Sequence, residues 1–512
     1  MKAFLMYRER DFDPKQCLPP NAAAVVQDLE LETLFAAMAQ KDSFVHDIVK
    51  VAVLAAANNT IAEISYRQAI LLDSLKNPTV IRNLYDLAVE AIEREKKAYW
   101  GLFRDSPDTV LQRSIGVMQI FMDVLRRLRD IAEIHEQCFD SEGFRALFGM
   151  LQRELSNDYF AEVNTHLRQL KFNQGVWVSA HLGEANKGVD YVLREQHEDT
   201  RNWFMRLFPR KVQGFTLHLH PRDEAGARAM SDLKQRGIAL AATAIGQAAD
   251  HILSFFHMMR TELAFYVGAL NLSEKLTALS APTAVPEACP AEPPDFRCHD
   301  LYDVCLALSM GRAAVGNDLA ANGKRLVMIT GANQGGKSTF LRSVGLAQLM
   351  MQAGLFVAGR SLRASIVDGV FTHYKREEDA CMRSGKFDEE LNRMSDLVDI
   401  LTPHALVLFN ESFAATNERE GSEIARQISC ALLDRGIRIC FVTHLYEFAH
   451  QMHEMNSSEA LFLRAERKDG GGRTFKLIEG EPLDTSFGED LYDSIFQTSQ
   501  NRTGPSPKRS AA

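Results

Sequence analysis

An apolar run, Leu326-Val-Met-Ile-Thr330, passes directly into Gly331-Ala-Asn-Gln-Gly-Gly-Lys-Ser-Thr339. Few sequence features restrict a fold as strongly. Gly-x-x-x-x-Gly-Lys-Ser reads as a phosphate-binding loop when a strand precedes it and a helix follows. Residues 326–330 read as the strand, and Phe340, Leu341, Val344 and Leu349 continue at helical spacing. Glycines let backbone amides turn inward around phosphates, and a helix N-terminus adds partial positive charge. The residues expected to cradle a nucleotide are therefore Gly331, Ala332, Asn333, Gln334, Gly335, Gly336, Lys337, Ser338 and Thr339. Lys337 is expected to reach the β- and γ-phosphates, and the Ser338 hydroxyl to ligate Mg²⁺. ATP and Mg²⁺ are the implied cofactors.

Phosphoryl chemistry of this kind also needs a metal-holding group and a group that orients water. A second apolar strand, Ala405-Leu-Val-Leu-Phe409, ends in Asn410-Glu411. Glu411 is expected to polarise the attacking water. Asn410 stands where an Asp commonly holds the metal through water, so the metal set is read as Ser338, Asn410 and Glu411, with less negative charge than usual. A third strand, Arg438-Ile-Cys-Phe-Val-Thr443, ends at His444, read as a γ-phosphate sensor. Lys337, Glu411 and His444 are the candidate catalytic residues of an Mg²⁺-dependent ATPase that converts ATP to ADP and phosphate.

The rest of the chain frames this half. At ~150 residues per domain, 512 residues suggest about three domains. Leu31, Leu34, Phe35 and Met38, then Ile115, Met118, Met122, Leu125 and Leu128, then Ile252, Phe256, Met259 and Leu263 form helical stripes that predict buried faces. Around 172–220 the period shortens to two, with Val176, Val178, Ala180 and Leu182, then Phe215, Leu217 and Leu219. His218 and His220 read as the polar face of that strand, with metal ligation as the alternative. Residues 281–294 hold five of the 16 prolines and read as a linker. The expected organisation is multidomain: a mainly α-helical core and lever over 1–280 with a short β insertion, a linker at 281–294, an α/β ATPase over 295–496, and a disordered tail at 497–512. Eight cysteines without Cys-x-x-Cys spacing, the absence of a signal-peptide pattern, and no charge-free apolar stretch of ~18 residues predict a cytoplasmic chain without a membrane partner.

The nucleotide motifs resemble one family. Gly331–Thr339 is similar to the loop of MutS-type DNA mismatch repair ATPases, Gly-Pro-Asn-Met-Gly-Gly-Lys-Ser-Thr, with departures at Ala332 and Gln334. Val315-Gly-Asn317 resembles the segment beside the adenine, which adds Val315 and Asn317 to the cofactor-binding set. Leu408-Phe-Asn-Glu411 with Thr416 and Gly421, Phe441-Val-Thr-His444, and Thr485-Ser-Phe-Gly488 resemble its second strand and loop, its switch and its closing turn. The resemblance implies an ABC-like ATPase that works as a dimer, with a signature helix of one subunit capping the nucleotide of the other. That helix matches Ser384-Gly385-Lys-Phe387 through Glu390, so Ser384 or Gly385 is the trans contact. Tyr66-Arg-Gln68 with Leu71, Leu72 and Leu75 resembles the start of the family's helical core. The mismatch-reading domain, with its early Phe-x-Glu, has no counterpart in this sequence, and the C-terminal helical extension has none or a short one.

The net charge is −9, yet residues 201–250 carry 8 basic and 4 acidic side chains. Arg201, Arg206, Arg210 and Lys211, interleaved with Trp203, Phe204 and Phe208, read either as a clamp on a nucleic-acid backbone or as a solvated basic face. The expected function is ATP-driven, dimeric clamping of structured or mismatched DNA in repair or recombination. An RNA- or ribosome-associated remodelling ATPase and a nucleotide-gated interaction protein without nucleic acid are the alternatives.

Overall fold

The computed structural model describes residues 1–98, 106–172, 175–184, 188–194, 218–220, 222–332, 334–376, 385–467 and 473–483. The chain divides into two compact units. One comprises Met1–Phe4 with Thr79–Leu263, and the other Leu5–Pro78 with the chain from Ala264 onward. The first 78 residues carry α1 (Ala22–Asp28), α2 (Leu31–Ala39), α3 (Ser43–Leu54) and α4 (Ile61–Lys76). Next come α5 (Pro78–Ala98), α6 (Pro107–His135), α7 (Glu142–Glu154), α8 (Asn157–Gln169), the hairpin β1 (Val178–Leu182) and β2 (Gly188–Leu193), and the 55-residue α9 (Glu224–Ala278).

Helices α5–α8 and the first part of α9 build the first unit. Serines start three of them: Ser106, Ser141 and Ser156 each accept a backbone amide three residues on, which satisfies donors that helix N-termini leave open. The stripe Ile115, Met118, Met122, Leu125 and Leu128 is buried, and the Phe121 ring lies 5.6 Å from Phe256 of α9. Helix α9 is also long and apolar enough, by length and composition alone, to cross a membrane. Asp250, Arg260 and Glu262 interrupt its apolar part, so no run of 18 residues in it is free of charge, and the sequence, read for such a run, predicted no spanning helix. Further along, residues 263–272 of the same helix are buried inside the protein.

The second unit holds the α/β fold. Its larger sheet runs in the order β10 (Val370–Tyr374), β11 (Leu406–Asn410), β12 (Arg438–Val442), β7 (Leu326–Thr330), β13 (Ala460–Arg467), β14 (Arg473–Glu479), all parallel except the last. Parallel strands need cover on both faces. On one face, α12 (Lys386–Ile400), α13 (Glu418–Asp434) and α14 (Tyr446–Glu454) bring Met394, Ala425 and Phe448 to a core with Val407, Phe409, Ile439 and Phe441. On the other lies α11 (Lys337–Gln352), whose Gly345 is squeezed between Leu408 of β11 and Leu29. A Cβ there would sit 2.6 Å from one leucine methyl and 3.0 Å from the other. A smaller sheet has the order β4 (Glu287–Cys289), β9 (Ser361–Ser365), β5 (Phe296–Leu301), β6 (Asn317–Ala320), with β3 (Thr283–Ala284) pairing β8 (Val357–Ala358) and α10 (Val304–Met310) alongside in sequence.

Two boundaries fall elsewhere than the sequence reading put them. Residues 5–78 belong with the α/β fold. Arg67 donates to the carbonyls of Met6 and Ala353, Asn59 to Gln352 and Asn21 to Val370, so this segment satisfies backbone acceptors at the end of α11 and the start of β10. Helical periodicity tells that a face is buried, not against what. The proline-rich stretch 281–294, read as a linker, contributes β3 and β4. Its prolines flank strands of two and three residues, where a missing N–H interrupts no long ladder.

Candidate functional site

Strands β7, β11 and β12 are neighbours and parallel, so their C-terminal ends meet on one edge of the sheet. That edge gathers the residues after Thr330, Phe409 and Val442. The loop 331–336 turns between β7 and α11 with Gly331 at φ 106°, Gln334 at φ 57° and Gly336 at φ 89°. Gly335 lacks a side chain for a different reason, since a Cβ there would meet the Ala465 methyl at 2.6 Å. Asn333 lies outside the described residues. Lys337, 5% exposed, folds back over the loop and donates to the carbonyls of Gly331 at 2.8 Å and Ala332 at 3.0 Å. Burial pushes its ammonium down to about 8, while the Glu411 charge pulls the other way.

The Ser338 hydroxyl donates to the Asn410 amide oxygen at 2.8 Å, across 72 residues of sequence. Glu411 follows at the end of β11. Its carboxylate accepts from His444 Nε2 at 2.9 Å, and this hydrogen bond holds its carboxyl below the usual glutamate range. The carboxylate is therefore ionised at neutral pH and has an acceptor oxygen to offer. His444, read as a phosphate sensor, is turned toward Glu411 here. Glu411 and Phe413 both adopt left-handed backbone, at φ 54° and 64°, a costly conformation for residues with side chains.

Beside the loop opens a cavity of about 550 Å³, walled by Leu306, Met310, Val315, Phe340 and Phe475 and floored by Gln334, Gly336 and Thr339. Val315 is exposed in it. Asn317 lines it too, but its side chain is already engaged: Nδ2 donates to the Phe475 carbonyl at 3.2 Å, and Oδ1 accepts from the Leu477 amide at 2.8 Å. Asn317 thus holds β14 and the exposed Phe475 against the cavity, and the sequence offered no local signal for that ring.

A second group was also missed. His373 of β10 is buried between Phe409 and Phe413, and burial pushes its imidazole down to about 4. Its Nε2 lies 3.2 Å from the Glu390 carbonyl and its Nδ1 2.8 Å from the Ser412 hydroxyl. A neutral ring has one proton, and a carbonyl only accepts, so that proton sits on Nε2. Gly385, a trans-contact candidate, is the residue before α12, extended and without a side-chain cap hydrogen bond. Ser384, Arg201, Arg206, Arg210, Lys211 and the Thr485–Gly488 turn lie outside the described residues. His218 and His220 are exposed, and His220 Nδ1 accepts from the Arg222 amide at 3.2 Å.

Two family descriptions match most of the chain: a MutS2 N-terminal domain over residues 59–279 and MutS domain V, an ATPase domain, over residues 327–495. A DNA mismatch repair protein MutS of Thermotoga sp. (strain RQ2) is 35% identical over 171 residues, covering 33% of this chain and 21% of that protein. An Endonuclease MutS2 of Thermus thermophilus is 36% identical over 133 residues, 26% of this chain and 18% of its own. The chain spans about a fifth of the length of these curated relatives. With two matched segments that between them take in most of the helical region and the segments carrying Lys337, Glu411 and His444, the chain belongs to the MutS-related family.

Proposed function

We propose that this protein hydrolyses ATP and uses the cycle to open and close a dimeric clamp on structured DNA. What supports the reading most is the convergence at one sheet edge. Lys337, the Ser338–Asn410 pair and the Glu411–His444 pair come together beside a cavity of about 550 Å³ with apolar walls. Such walls suit a base, and the loop suits the phosphates. Lys337 exchanges its two loop carbonyls for phosphate oxygens. Glu411 accepts the proton of the attacking water, and His444 steadies the carboxylate. Ser338 and Asn410 offer hard oxygen donors 2.8 Å apart, a set that fits Mg²⁺ and would hold it. When bound, that ion supplies neutralisation of phosphoryl charge. The uncapped start of α12 at Gly385 suits the trans contact with a partner's nucleotide. The names of the relatives, a mismatch repair protein and an endonuclease, favour DNA as the client.

ATPase rates measured with duplex, mismatched, branched and single-stranded DNA, and with RNA, test this reading. Branched or mismatched duplex is expected to stimulate turnover. Stimulation by RNA alone would favour the ribosome-associated alternative, and no stimulation by any polynucleotide would favour an interaction protein. Charge reversal at Arg206, Arg210 and Lys211 is expected to weaken DNA binding and to lower the salt slope by about one for each phosphate that is no longer neutralised. Unchanged binding would remove the clamp assignment.

Asn410 tests the metal assignment. A carboxylate there accepts about twice as strongly as the amide, so Asn410→Asp is expected to lower the Mg²⁺ concentration for half-maximal hydrolysis by about threefold or more. Unchanged Mg²⁺ dependence and rate would exclude the assignment.

A further inference from the structure

The turn that carries Glu411 is held in an unfavourable shape, and what holds it is visible. Glu411 and Phe413 are both left-handed, with Ser412 between them fully buried. Two left-handed side-chain residues within a three-residue turn persist only where the surroundings over-determine them. On one side, the Glu411 amide donates to the Val442 carbonyl at 2.9 Å and its carboxylate takes the His444 bond. On the other side the restraint comes from β10 and α12. The Phe413 amide donates to Glu390 Oε1 at 2.7 Å. The Ser412 hydroxyl donates to the His373 carbonyl at 2.5 Å, and its oxygen lies 2.8 Å from His373 Nδ1. His373 stacks on Phe413, 5.3 Å between ring centres, and its other nitrogen returns to the Glu390 backbone.

Glu390 therefore touches this assembly twice, through its carboxylate and through its carbonyl. It is 4% exposed, and burial raises its carboxyl above the usual range while the Phe413 amide opposes the rise. A group so costly to bury would be replaced by an apolar one if only packing mattered. It lies five residues after Gly385 on one helix, and Arg393, further along α12, donates to the Tyr374 carbonyl at the end of β10. The helix start and the Glu411 turn are thus joined by direct bonds, with no flexible segment between them.

We infer that Glu390, acting with His373 and Ser412, is a positioning residue that sets the orientation of the Glu411 carboxylate and keys it to the helix offered to the partner's nucleotide. Shifting α12 when the partner's phosphates dock moves the Glu390 carboxylate, and with it the Phe413 amide and the turn. Each site would then be tuned by the subunit's own capping helix. This rests on the ATPase reading above.

Steady-state kinetics of Glu390→Ala and Glu390→Gln, each alone and combined with Glu411→Gln, decide the matter. Glu390→Ala is expected to lower kcat about tenfold or more, in the range that mispositioning a reacting group costs, with KM for ATP changed less than about threefold. Glu390→Gln keeps an acceptor oxygen for the Phe413 amide and is expected to recover kcat to within about threefold of the unsubstituted protein. In the Glu411→Gln background, Glu390→Ala is expected to add no further loss, because it acts through Glu411. A merely structural role predicts instead an additive loss and no selective recovery by Gln, and either result overturns the inference. Should Glu390→Ala not fold, Ser412→Ala carries the same expectation of a loss absorbed by Glu411→Gln, and an unchanged kcat overturns it. No hydrolysis by the unsubstituted protein would overturn the ATPase reading and this inference with it. Hydrolysis at an unchanged rate in Glu390→Ala would overturn this inference alone.

Discussion

Replacing Glu411 by Gln is expected to lower kcat for ATP by about 10²- to 10⁴-fold, the usual contribution of a positioned general base. ATP binding is expected to stay within about threefold, since the substitution removes nothing from the loop around Lys337. The size of the effect follows from the chemistry at one atom. The carboxylate is held ionised by the His444 hydrogen bond, so one oxygen is engaged at 2.9 Å while the other is available to accept a proton. An amide keeps the shape and the bond from His444 but has no basic oxygen. The left-handed turn at Glu411 is a backbone property held by Val442, Ser412 and Phe413, and Gln leaves those bonds in place. A fall in rate therefore reports the lost base and not a lost fold. Because hydrolysis resets the proposed clamp, ATP is also expected to shift the substituted protein to a persistent dimer in size-exclusion chromatography. A kcat within about threefold of the unsubstituted protein would falsify the role assigned to Glu411.

The strands that lead into the motif residues were legible because their pattern is local. A glycine loop after an apolar strand and before an amphipathic stripe carries its own structural context, and strands β7, β11 and β12 fall on the apolar runs to within one residue at either end. The sites that escaped are joined by long-range contacts. Asn317 reaches Phe475 across 158 residues, and His373 reaches Ser412 across 39. No pattern in the neighbourhood of either residue announces such a partner. Glu390 was visible only as a match to a family pattern, and what it binds, the Phe413 amide, follows from the strand order β10-β11 and the packing of α12 over it. The amphipathic stripe at Leu31–Met38 predicted burial and the helix obliges, but the partner of that segment is the α/β fold, because Arg67, Asn59 and Asn21 direct their donors to its backbone. Sequence periodicity gives the orientation of a face. Only the chain's return path, here α9 leading into the strands, decides which element that face meets.

Lys337 yields the second large effect, and one with opposite signs for stability and binding. In the ligand-free protein its ammonium is buried and its affinity for a proton is lowered to about 8 from the usual 10.5. A lysine whose folded pKa lies below its unfolded value destabilises the fold while it is charged. The penalty is fully present below about 8 and is relieved as pH rises from 8 toward 10.5. Lys337→Met, similar in length and uncharged, is therefore expected to raise the melting temperature of the ligand-free protein at pH 7, by the equivalent of up to about 3 kcal/mol. The same substitution is expected to weaken ATP binding by about 10- to 150-fold, the worth of one hydrogen bond from a charged donor at roughly 1.5–3 kcal/mol. Phosphate oxygens replace the Gly331 and Ala332 carbonyls as acceptors and bring negative charge, which raises the proton affinity of Lys337. Nucleotide binding at pH 8.5 is then accompanied by proton uptake, and at pH 6.5 this group contributes none, because it is already protonated. Calorimetry in buffers of different ionisation enthalpy reads that uptake directly. Uptake at pH 8.5 that persists in Lys337→Met, or a substituted protein that melts lower while binding ATP as before, would remove Lys337 from the phosphate site.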